Sequence, residues 1–401
     1  MGDKTVEGNP RSSAWGPSPP PAARSGGVHL AAVLVIAAVV TMAFQYRVVQ
    51  VRSQGHFTGL FRIGDKFYSR GPTDLFHGRP YVFERSDGFD GQFFFYLAHD
   101  PLLLHGVERF LDAPRQRSAR VGYPILAYAA SLGSARLVPP VLYLVNMLAL
   151  LGCVALLGQR WRASGLPAYG GLLFVLCAST IVVATTMTCE VVTAFFLLLG
   201  FWGAERTKKG VLLASVLCAV FCKEAGVLWW AALVACAAMK RDKSRLLDLA
   251  ALLAPYAFWL VYLRWRIPEP DSAWLSQWGL GWPLKGAFER LWALLYGQPS
   301  IGARDLVETG LMLCLLSMAF RGLRDLAVSP KADAVRVLCG FAAIGAICTS
   351  GRCWEWSGNY ARLLFLLPMI SLWDVPRRAW ARVDTYGYVA LSVLGLLVKH
   401  G

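Results

Sequence analysis

Charged side chains are scarce in this sequence. They make up 16% of its 401 residues, whereas a soluble domain carries about a quarter. Hydrophobic residues make up 56%, and the mean hydropathy is +0.46. A water-soluble fold of this length has too little interior to bury so much apolar surface. The composition therefore excludes a soluble globular protein.

Motifs for metal ions and for nucleotides are also absent. The ten cysteines form no CxxC pair and show no Cys/His spacing typical of a zinc site. Several lie inside apolar runs, where a thiol behaves as a small hydrophobic group. No glycine-rich phosphate loop follows a strand, which excludes a nucleotide-binding α/β domain of the usual kind. A disulfide stays open for the cysteines at the ends of apolar runs, which are Cys189, Cys222, Cys348 and Cys353.

What the sequence contains instead is a series of apolar runs, separated by short basic or Gly/Pro-rich turns. This is the hydropathy pattern of a helical bundle in lipid, and it predicts an all-α, polytopic transmembrane helical bundle of about 10 to 11 spans. After the first span, the runs lie at residues 138–157, 167–187, 191–204, 210–222, 225–239, 246–264, 305–320, 334–350, 362–374 and 385–398.

The domain boundaries follow from the same pattern. Residues 1–27 are rich in Pro, Gly, Ser and Ala and are predicted to form a disordered cytoplasmic tail. Residues 28–46 form the first transmembrane helix. Residues 47–136 are polar with an aromatic-rich middle and are predicted to be a large first extracytoplasmic loop with short helices. Residues 137–401 form the rest of the transmembrane bundle.

The basic residues indicate the orientation. The formal net charge of +15 comes from short runs between apolar segments, a distribution that topology explains better than nucleic-acid binding. With the N-terminus in the cytoplasm, every short loop predicted inside is net positive, as the positive-inside rule requires. These loops contain Arg160 and Arg162; Arg206, Lys208 and Lys209; Lys240, Arg241, Lys243 and Arg245; Arg321 and Arg324; Arg377, Arg378 and Arg382.

The strongest local signal is SDGFDGQFFFYLAHDP at residues 86–101, in which Asp87 and Asp90 flank Gly88. A glycine-flanked carboxylate just outside a membrane is well positioned to act as a general base. An equally good interpretation is structural, with Asp90 capping a short helix that begins near Gly91 and Asp87 serving a turn.

Two further acidic and basic positions lie at predicted hairpin tips on the same side of the membrane. Lys223 and Glu224 are adjacent in LCAVFCKEAGVLWW. They form a structural ion pair, or Lys223 binds an anionic phosphate while Glu224 holds it in place. Glu190 in TTMTCEVVTAFF is a lone carboxylate, and a single uncompensated charge at this depth is costly.

Arginines supply candidate phosphate ligands. Arg117 and Arg120, in DAPRQRSARVGYP, could bind phosphate oxygens together with the nearby Arg115, or could be ordinary interfacial arginines. The segment GRCWEWSGNYARLL contributes Arg352, Glu355 and Arg362, together with two tryptophans. Such tryptophans occur in any membrane protein, so only the three charges bear on function.

Taken in order, these strings resemble bacterial polytopic proteins of the GT-C glycosyltransferase superfamily. DGFDGQFFFYLAHDP is similar to that family's YDGQFYYxLAxDP, and LDAPRQRSARVGYPILAYAASLG is similar to LDxPxYRxxRIxYPLLA. An acidic hairpin residue, KEAG and NYARLLFLLP follow in the family's order. The resemblance covers roughly residues 80–370 and is most specific in the first loop.

The resemblance implies an enzyme of the bacterial cytoplasmic (inner) membrane. It would transfer a hexose or pentose from a polyprenyl-phosphate donor to an unidentified acceptor at the extracytoplasmic face, with membrane lipids as its other partners. Asp90, or Asp87, would be the catalytic base. The phosphate would be bound by residues chosen among Glu190, Lys223, Glu224, Arg117, Arg120, Arg352, Glu355 and Arg362. A divalent cation such as Mg²⁺ or Mn²⁺ is compatible with this chemistry, although no ligand spacing requires one.

Two other functions stay open at this point. A transporter or lipid-linked-sugar flippase would also carry intramembrane charges and short interrupted hairpins, although no internal repeat of hydropathy is present. A catalytically inactive relative that serves as a scaffold is the third. An enzyme or a transporter should place Asp90, Glu190, Lys223 and Arg362 around a single external cavity. Scattered positions of these residues would count against both functions.

Overall fold

The computed structural model describes residues 27–69, 76–268, 284–296, 302–328, 333–348, 364–376 and 378–400, together with Trp282 and Arg362. Within these residues the regular secondary structure is helical, apart from a short parallel ladder between β1 (Ile63–Gly64) and β2 (Val82–Phe83). The predicted all-α fold class is confirmed for this part of the chain. The predicted tail lies outside the described residues, except for its last residue.

The described helices are α1 (Gly27–Ser53), α2 (Asp65–Tyr68), α3 (Asp90–His99), α4 (Pro114–Ala119), α5 (Gly122–Ala130), α6 (Val138–Ala163), α7 (Leu172–Leu176), α8 (Ala178–Ala184), α9 (Glu190–Glu205), α10 (Lys209–Cys222), α11 (Glu224–Met239), α12 (Lys243–Leu252), α13 (Ala254–Arg266), α14 (Lys285–Tyr296), α15 (Ala303–Val328), α16 (Ala334–Ile347), α17 (Leu366–Asp374) and α18 (Ala379–His400). Single 3₁₀ turns at Phe57–Phe61, Val107–Phe110 and Ala168–Gly171 connect some of them.

Four helical segments are long and apolar enough to cross a membrane: His29–Ser53, Val138–Ala163, Lys243–Arg266 and Ala303–Val328. Helices α10, α11 and α16 are apolar but shorter. The local sequence explains where the helices begin and end. In α6, for example, proline occupies the first turn, where its missing N–H costs nothing. Arg160 and Arg162 lie in the last turn, where the helix dipole favours positive charge.

The long helices pack side by side around a common apolar core. Helix α6 packs against α1 and α9, α9 against α10, and α11 against α16, while α15 packs against both α16 and α18. The pair α12–α13 lies at the periphery, where only 11% of the residues in its apolar 18-residue window are buried. It exposes Phe258, Val261 and Trp265, an apolar surface that a soluble monomer would not carry.

Helix α1 is longer than the sequence pattern predicts. We expected the first transmembrane helix to end at residue 46, but it continues to Ser53. The extension is stable because Val49 is buried and the Ser53 hydroxyl donates to the Val49 carbonyl one turn earlier. The stretch of short helices therefore starts after Ser53 instead of at residue 47.

The apolar run at 167–187 is not one helix. It divides into a 3₁₀ turn, α7 and α8, with a break at Cys177, whose backbone is extended (φ −66°, ψ 135°). The hydropathy pattern did not indicate this break, because hydropathy averaged over a run does not detect one extended residue inside it. The consequence is that α8 ends beside the start of α9.

The segment between α1 and α6 contacts the chain between α8 and α9 through a close backbone approach. A Cβ atom at Gly91 would lie 2.1 Å from the carbonyl oxygen of Thr186, which follows α8. No residue with a side chain fits at such a position without displacing the backbone. Glycine at the start of α3 therefore holds Asp90 against the chain that leads into Glu190.

The thiols of Cys189, Cys222 and Cys348 are free. Cys353, the fourth cysteine considered for a disulfide, lies outside the described residues. No disulfide forms among the first three.

Candidate functional site

Asp90 is the first residue of α3, and Phe89 precedes it in extended conformation as the N-cap. The Asp90 carboxylate does not cap its helix. Its Oδ2 atom lies 2.7 Å from Nη1 of Arg117 and 2.6 Å from Nη1 of Arg362. The interpretation of Asp90 as a helix cap is therefore not supported by its contacts. The carboxylate instead contacts two arginines from distant parts of the chain.

Asp87 has a different environment. Its side chain is 73% exposed, and its carboxylate lies 3.0 Å from Nζ of Lys66. The backbone around it is held by Gln92, whose side chain donates to the Asp87 carbonyl and accepts from the Gly64 N–H. Asp87 therefore belongs to a surface turn. Sequence reasoning did not single out Gln92, although it follows Asp90 within the DGQ motif.

Arg117, on α4, is held from two sides. Its Nε and Nη2 atoms donate to the two carboxylate oxygens of Asp112, each at 2.8 Å, while Nη1 faces Asp90. The guanidinium also lies over the ring of Phe93, 4.7 Å from its centroid. Bidentate pairing with a carboxylate fixes an arginine more firmly than a single contact does. Asp112 was missed by the sequence analysis, and its position five residues before Arg117 was the only available signal.

Lys223 and Glu190 form a buried ion pair. Lys223 Nζ lies 2.5 Å from Glu190 Oε1, with side chains only 8% and 2% exposed. Lys223 has extended backbone between α10 and α11. The two helices approach so closely here that a Cβ atom at Gly226 would lie 2.2 Å from the Ala219 carbonyl carbon. Glu190 is thus not the lone carboxylate that the sequence suggested.

Glu224 pairs with Arg120 and not with its neighbour Lys223. Nε and Nη2 of Arg120 both lie 2.8 Å from Glu224 Oε1. The prediction that Glu224 holds Lys223 in place is therefore wrong. Because Lys223 is extended, adjacent side chains point in opposite directions, and each finds its partner on a different element.

Arg362 joins the two halves of the cluster. Besides its contact with Asp90, its Nε lies 3.8 Å from Glu190 Oε1, and its guanidinium lies over the ring of Phe89 at 4.7 Å. Lys223 lies over the ring of Phe365 at 5.4 Å. With Arg117 over Phe93, aromatic faces thus cover three of the cations, and the face of an aromatic ring attracts positive charge.

The result is one cluster of four acidic and four basic side chains. We call it the charge cluster. It lies at the end of the bundle where α9 and α11 begin. It contains all but three of the predicted site residues. Asp87 lies apart, and Arg352 and Glu355 lie outside the described residues. The members of the charge cluster are Asp90, Asp112, Glu190, Glu224, Arg117, Arg120, Lys223 and Arg362.

Arg115, the third arginine of its segment, does not join them. Its side chain donates to the backbone carbonyls of Ile267 and Pro268, which attaches α4 to the end of α13. Trp259 of α13 donates to the Ser118 carbonyl in the same region. Arg115 thus has a structural position, whereas Arg117 and Arg120 face the charge cluster.

A divalent cation does not fit the residues described. Each carboxylate of the charge cluster already contacts at least one guanidinium or ammonium group. Among the described residues, no group of three His, Cys, Asp or Glu side chains is arranged to hold a metal ion. A cation at Asp90 would lie beside Arg117 and Arg362, and like charges at that distance repel.

The ionisation of Asp90 follows from its neighbours. Burial alone would raise the pKa of its carboxyl, but Arg117 and Arg362 outweigh burial and hold the pKa well below its ordinary value of 3.8. For a pKa lowered by folding, the stabilisation is complete above the unfolded-state value and is lost as the pH falls below it. Asp90 is therefore ionised throughout the physiological range.

This yields a pH prediction. Any reaction that needs ionised Asp90 should keep its rate as the pH falls from about 8 to about 5, because the carboxylate does not take up a proton in that range. The measurement is kcat/KM against pH. A fall in kcat/KM below about pH 6 that is caused by an ionisation of the enzyme, and not of the substrate, would contradict this protonation state.

No family model, curated protein or solved structure matches this chain. Its function must therefore be argued from the charge cluster and from the chemistry that those side chains can support.

Proposed function

We propose that this protein is a GT-C-like membrane glycosyltransferase. It transfers a hexose or pentose from a polyprenyl-phosphate donor to an acceptor at the extracytoplasmic face of a bacterial cytoplasmic membrane. In this proposal the apolar helices form a polytopic bundle of about ten or eleven spans, the N-terminus is cytoplasmic, and the charge cluster is the active site. The observation that carries the proposal is the Asp90 carboxylate between Arg117 and Arg362.

The reaction requires a group that receives a proton. The acceptor hydroxyl oxygen attacks the anomeric carbon, the bond from that carbon to the phosphate oxygen breaks, and its electron pair stays on the phosphate. The hydroxyl proton passes to Asp90. A carboxylate with a lowered pKa is a weak base, but glycosyl transfer has an oxocarbenium-like transition state. The attacking oxygen becomes acidic as its new bond forms, so a weak base at this position suffices.

The reaction also requires positive charge at the leaving group. Negative charge develops on the lipid phosphate as the glycosidic bond breaks, and fixed cations in a site shielded from water stabilise such charge strongly. The charge cluster that contains Asp90 also supplies three guanidinium groups and one ammonium group. A lipid-linked donor already lies in the bilayer, which agrees with four helices able to cross it and with a sequence that carries no nucleotide-binding motif.

The test uses the intact protein in proteoliposomes with an extract of cell-envelope acceptors. Radiolabelled hexoses and pentoses are supplied one at a time on prenyl monophosphate, with and without EDTA. We expect label to enter the acceptor fraction while an equal amount of prenyl phosphate is released. We expect the rate to be unchanged in EDTA, because each carboxylate of the charge cluster already contacts a cationic side chain.

The other outcomes identify the alternatives. Label that crosses the membrane still attached to its lipid, with no prenyl phosphate released, would replace the proposal with a transporter or flippase. Well-folded protein that neither transfers nor translocates any of the donors would favour a scaffold.

A further inference from the structure

The four acids of the charge cluster differ greatly in exposure. The side chains of Glu190 and Asp90 are 2% and 15% exposed, and that of Asp112 is 30% exposed. The side chain of Glu224 is 51% exposed, although its partner Arg120 is only 10% exposed. The Arg120–Glu224 pair thus joins a buried cation to an anion that lies half in water.

This difference determines which pair can open. Arg117 is held by both oxygens of Asp112, and removing either partner of a buried pair leaves a charge without solvent. Glu224 can leave Arg120 by rotating into water, which solvates its carboxylate, and ion pairs with an exposed partner are weak. Among the described pairs of the charge cluster, Arg120–Glu224 is the one whose anion can depart at low cost.

Arg120 itself cannot remain without an anion. Its guanidinium is buried, and an uncompensated buried charge is strongly unfavourable. Arg120 follows Arg117, a direct partner of Asp90, by three residues at the end of α4, so an anion bound to Arg120 would lie on the same helix end as the group that contacts Asp90. Exchange of one anion for another at Arg120 therefore avoids the cost of leaving a buried cation without an anion.

We propose that the Glu224 carboxylate is a displaceable substitute for the donor phosphate. In the resting protein it occupies Arg120, and the phosphate of the incoming lipid takes its place while Glu224 turns into water. This inference rests on the proposed function and deepens it. Neither the residues of the KE motif nor their sequence spacing indicates such an exchange, which follows from the exposure of the pair.

The charges of the site match one class of donor. Among the described residues, which do not include Arg352 and Glu355, the four acids and four bases of the charge cluster cancel while Glu224 is in place. With Glu224 turned into water, one positive charge is in excess. A sugar joined to a lipid through one phosphate is a phosphodiester with a single negative charge, which restores neutrality. A diphosphate-linked donor would carry two charges and leave the site negative, so the exchange favours the monophosphate.

The experiment measures, at about pH 5, binding of farnesyl phosphate and of uncharged farnesol to the purified full-length protein in nanodiscs. At that pH the phosphate monoester carries about one negative charge, because its second pKa is about 6. Glu224→Gln keeps the shape of the side chain but removes the competing charge. We expect it to bind farnesyl phosphate about tenfold more tightly than the unmodified protein, a change equivalent to about 1.4 kcal/mol, with farnesol binding unchanged. Arg120→Gln should lose the preference for farnesyl phosphate over farnesol.

The matched control is Glu205→Gln. Glu205 is a partly exposed glutamate that lies 3.4 Å from the buried Arg160, at the opposite end of α9 from Glu190. It should not change the binding of either lipid. If Glu224→Gln proves too unstable to purify, Glu224→Asp keeps the charge but shortens the reach to Arg120. It should shift binding in the same direction by a smaller factor.

The outcomes separate the two proposals. A preference for farnesyl phosphate that depends on Arg120 but is unchanged or weakened in Glu224→Gln overturns the exchange and leaves the proposed function standing. Equal binding of farnesyl phosphate and farnesol by the unmodified protein overturns both.

Discussion

Replacement of Asp90 by asparagine is expected to lower the rate of sugar transfer by a factor of about 10² to 10⁴, the contribution of a positioned general base. The amide has nearly the same shape as the carboxylate but cannot accept the hydroxyl proton. Arg117 keeps its bidentate contact with Asp112, whereas Arg362 keeps, of its ion pairs with described residues, only that with the Glu190 carboxylate at 3.8 Å. We therefore expect the variant to fold with reduced stability. The measurement is the initial rate in proteoliposomes at matched protein content.

Asp87→Asn is the control that the chain offers. It removes the same charge three residues earlier, but from a side chain that is 73% exposed and contacts Lys66. An exposed ion pair of this kind contributes little to stability, and Asp87 lies apart from the charge cluster. We expect a rate within about twofold of the unmodified protein. A large loss in Asp87→Asn with normal transfer in Asp90→Asn would reverse the assignment of the base.

Removal of Glu190 is expected to have the largest effect on stability. Glu190→Gln leaves the Lys223 ammonium buried without its anion, and loss of one partner of a buried pair costs about 3 to 5 kcal/mol. The measurement is the free energy of unfolding in detergent, or the thermal midpoint where unfolding is irreversible. Asp87→Asn, which removes one partner of an ion pair whose side chains are 55% and 73% exposed, should cost about 1 kcal/mol or less.

The double variant Glu190→Leu with Lys223→Met separates structure from function. Apolar side chains of similar volume in place of a buried ion pair are often neutral or stabilising, so we expect stability to return to near the original value. Transfer should not return, because the ammonium that faces the leaving phosphate is gone. A double variant that transfers sugar at the original rate would show that this pair is purely structural.

Much of the helical framework could be predicted from hydropathy. The run at 138–157 corresponds to α6, and the runs at 210–222 and 225–239 correspond to α10 and α11 almost residue for residue. The failures occurred where one residue decides the outcome. The extended Cys177 divides α7 from α8, and the Ser53 hydroxyl helps carry α1 past its predicted end.

Seven of the eight members of the charge cluster were predictable from the sequence, all but Asp112, but their pairings were not. The sequence pointed to Asp90, Glu190, Lys223 and Arg362 as unusual charges, because a charge in an apolar turn is costly wherever its partner lies. It also pointed to Lys223 and Glu224 as a pair, since they are adjacent. Their real partners lie 33 and 104 residues away, and local sequence contains no information about such contacts.

The sequence by itself determined that this chain is helical and that several of its segments are apolar enough to cross a membrane, because hydropathy and helix ends are local properties of consecutive residues. Only the tertiary structure decided that Asp90 receives two arginines, that Asp87 does not join them, and that Glu224 is the exposed partner of a buried cation. Burial and ion pairing depend on which distant segments pack together, and packing is a property of the whole bundle.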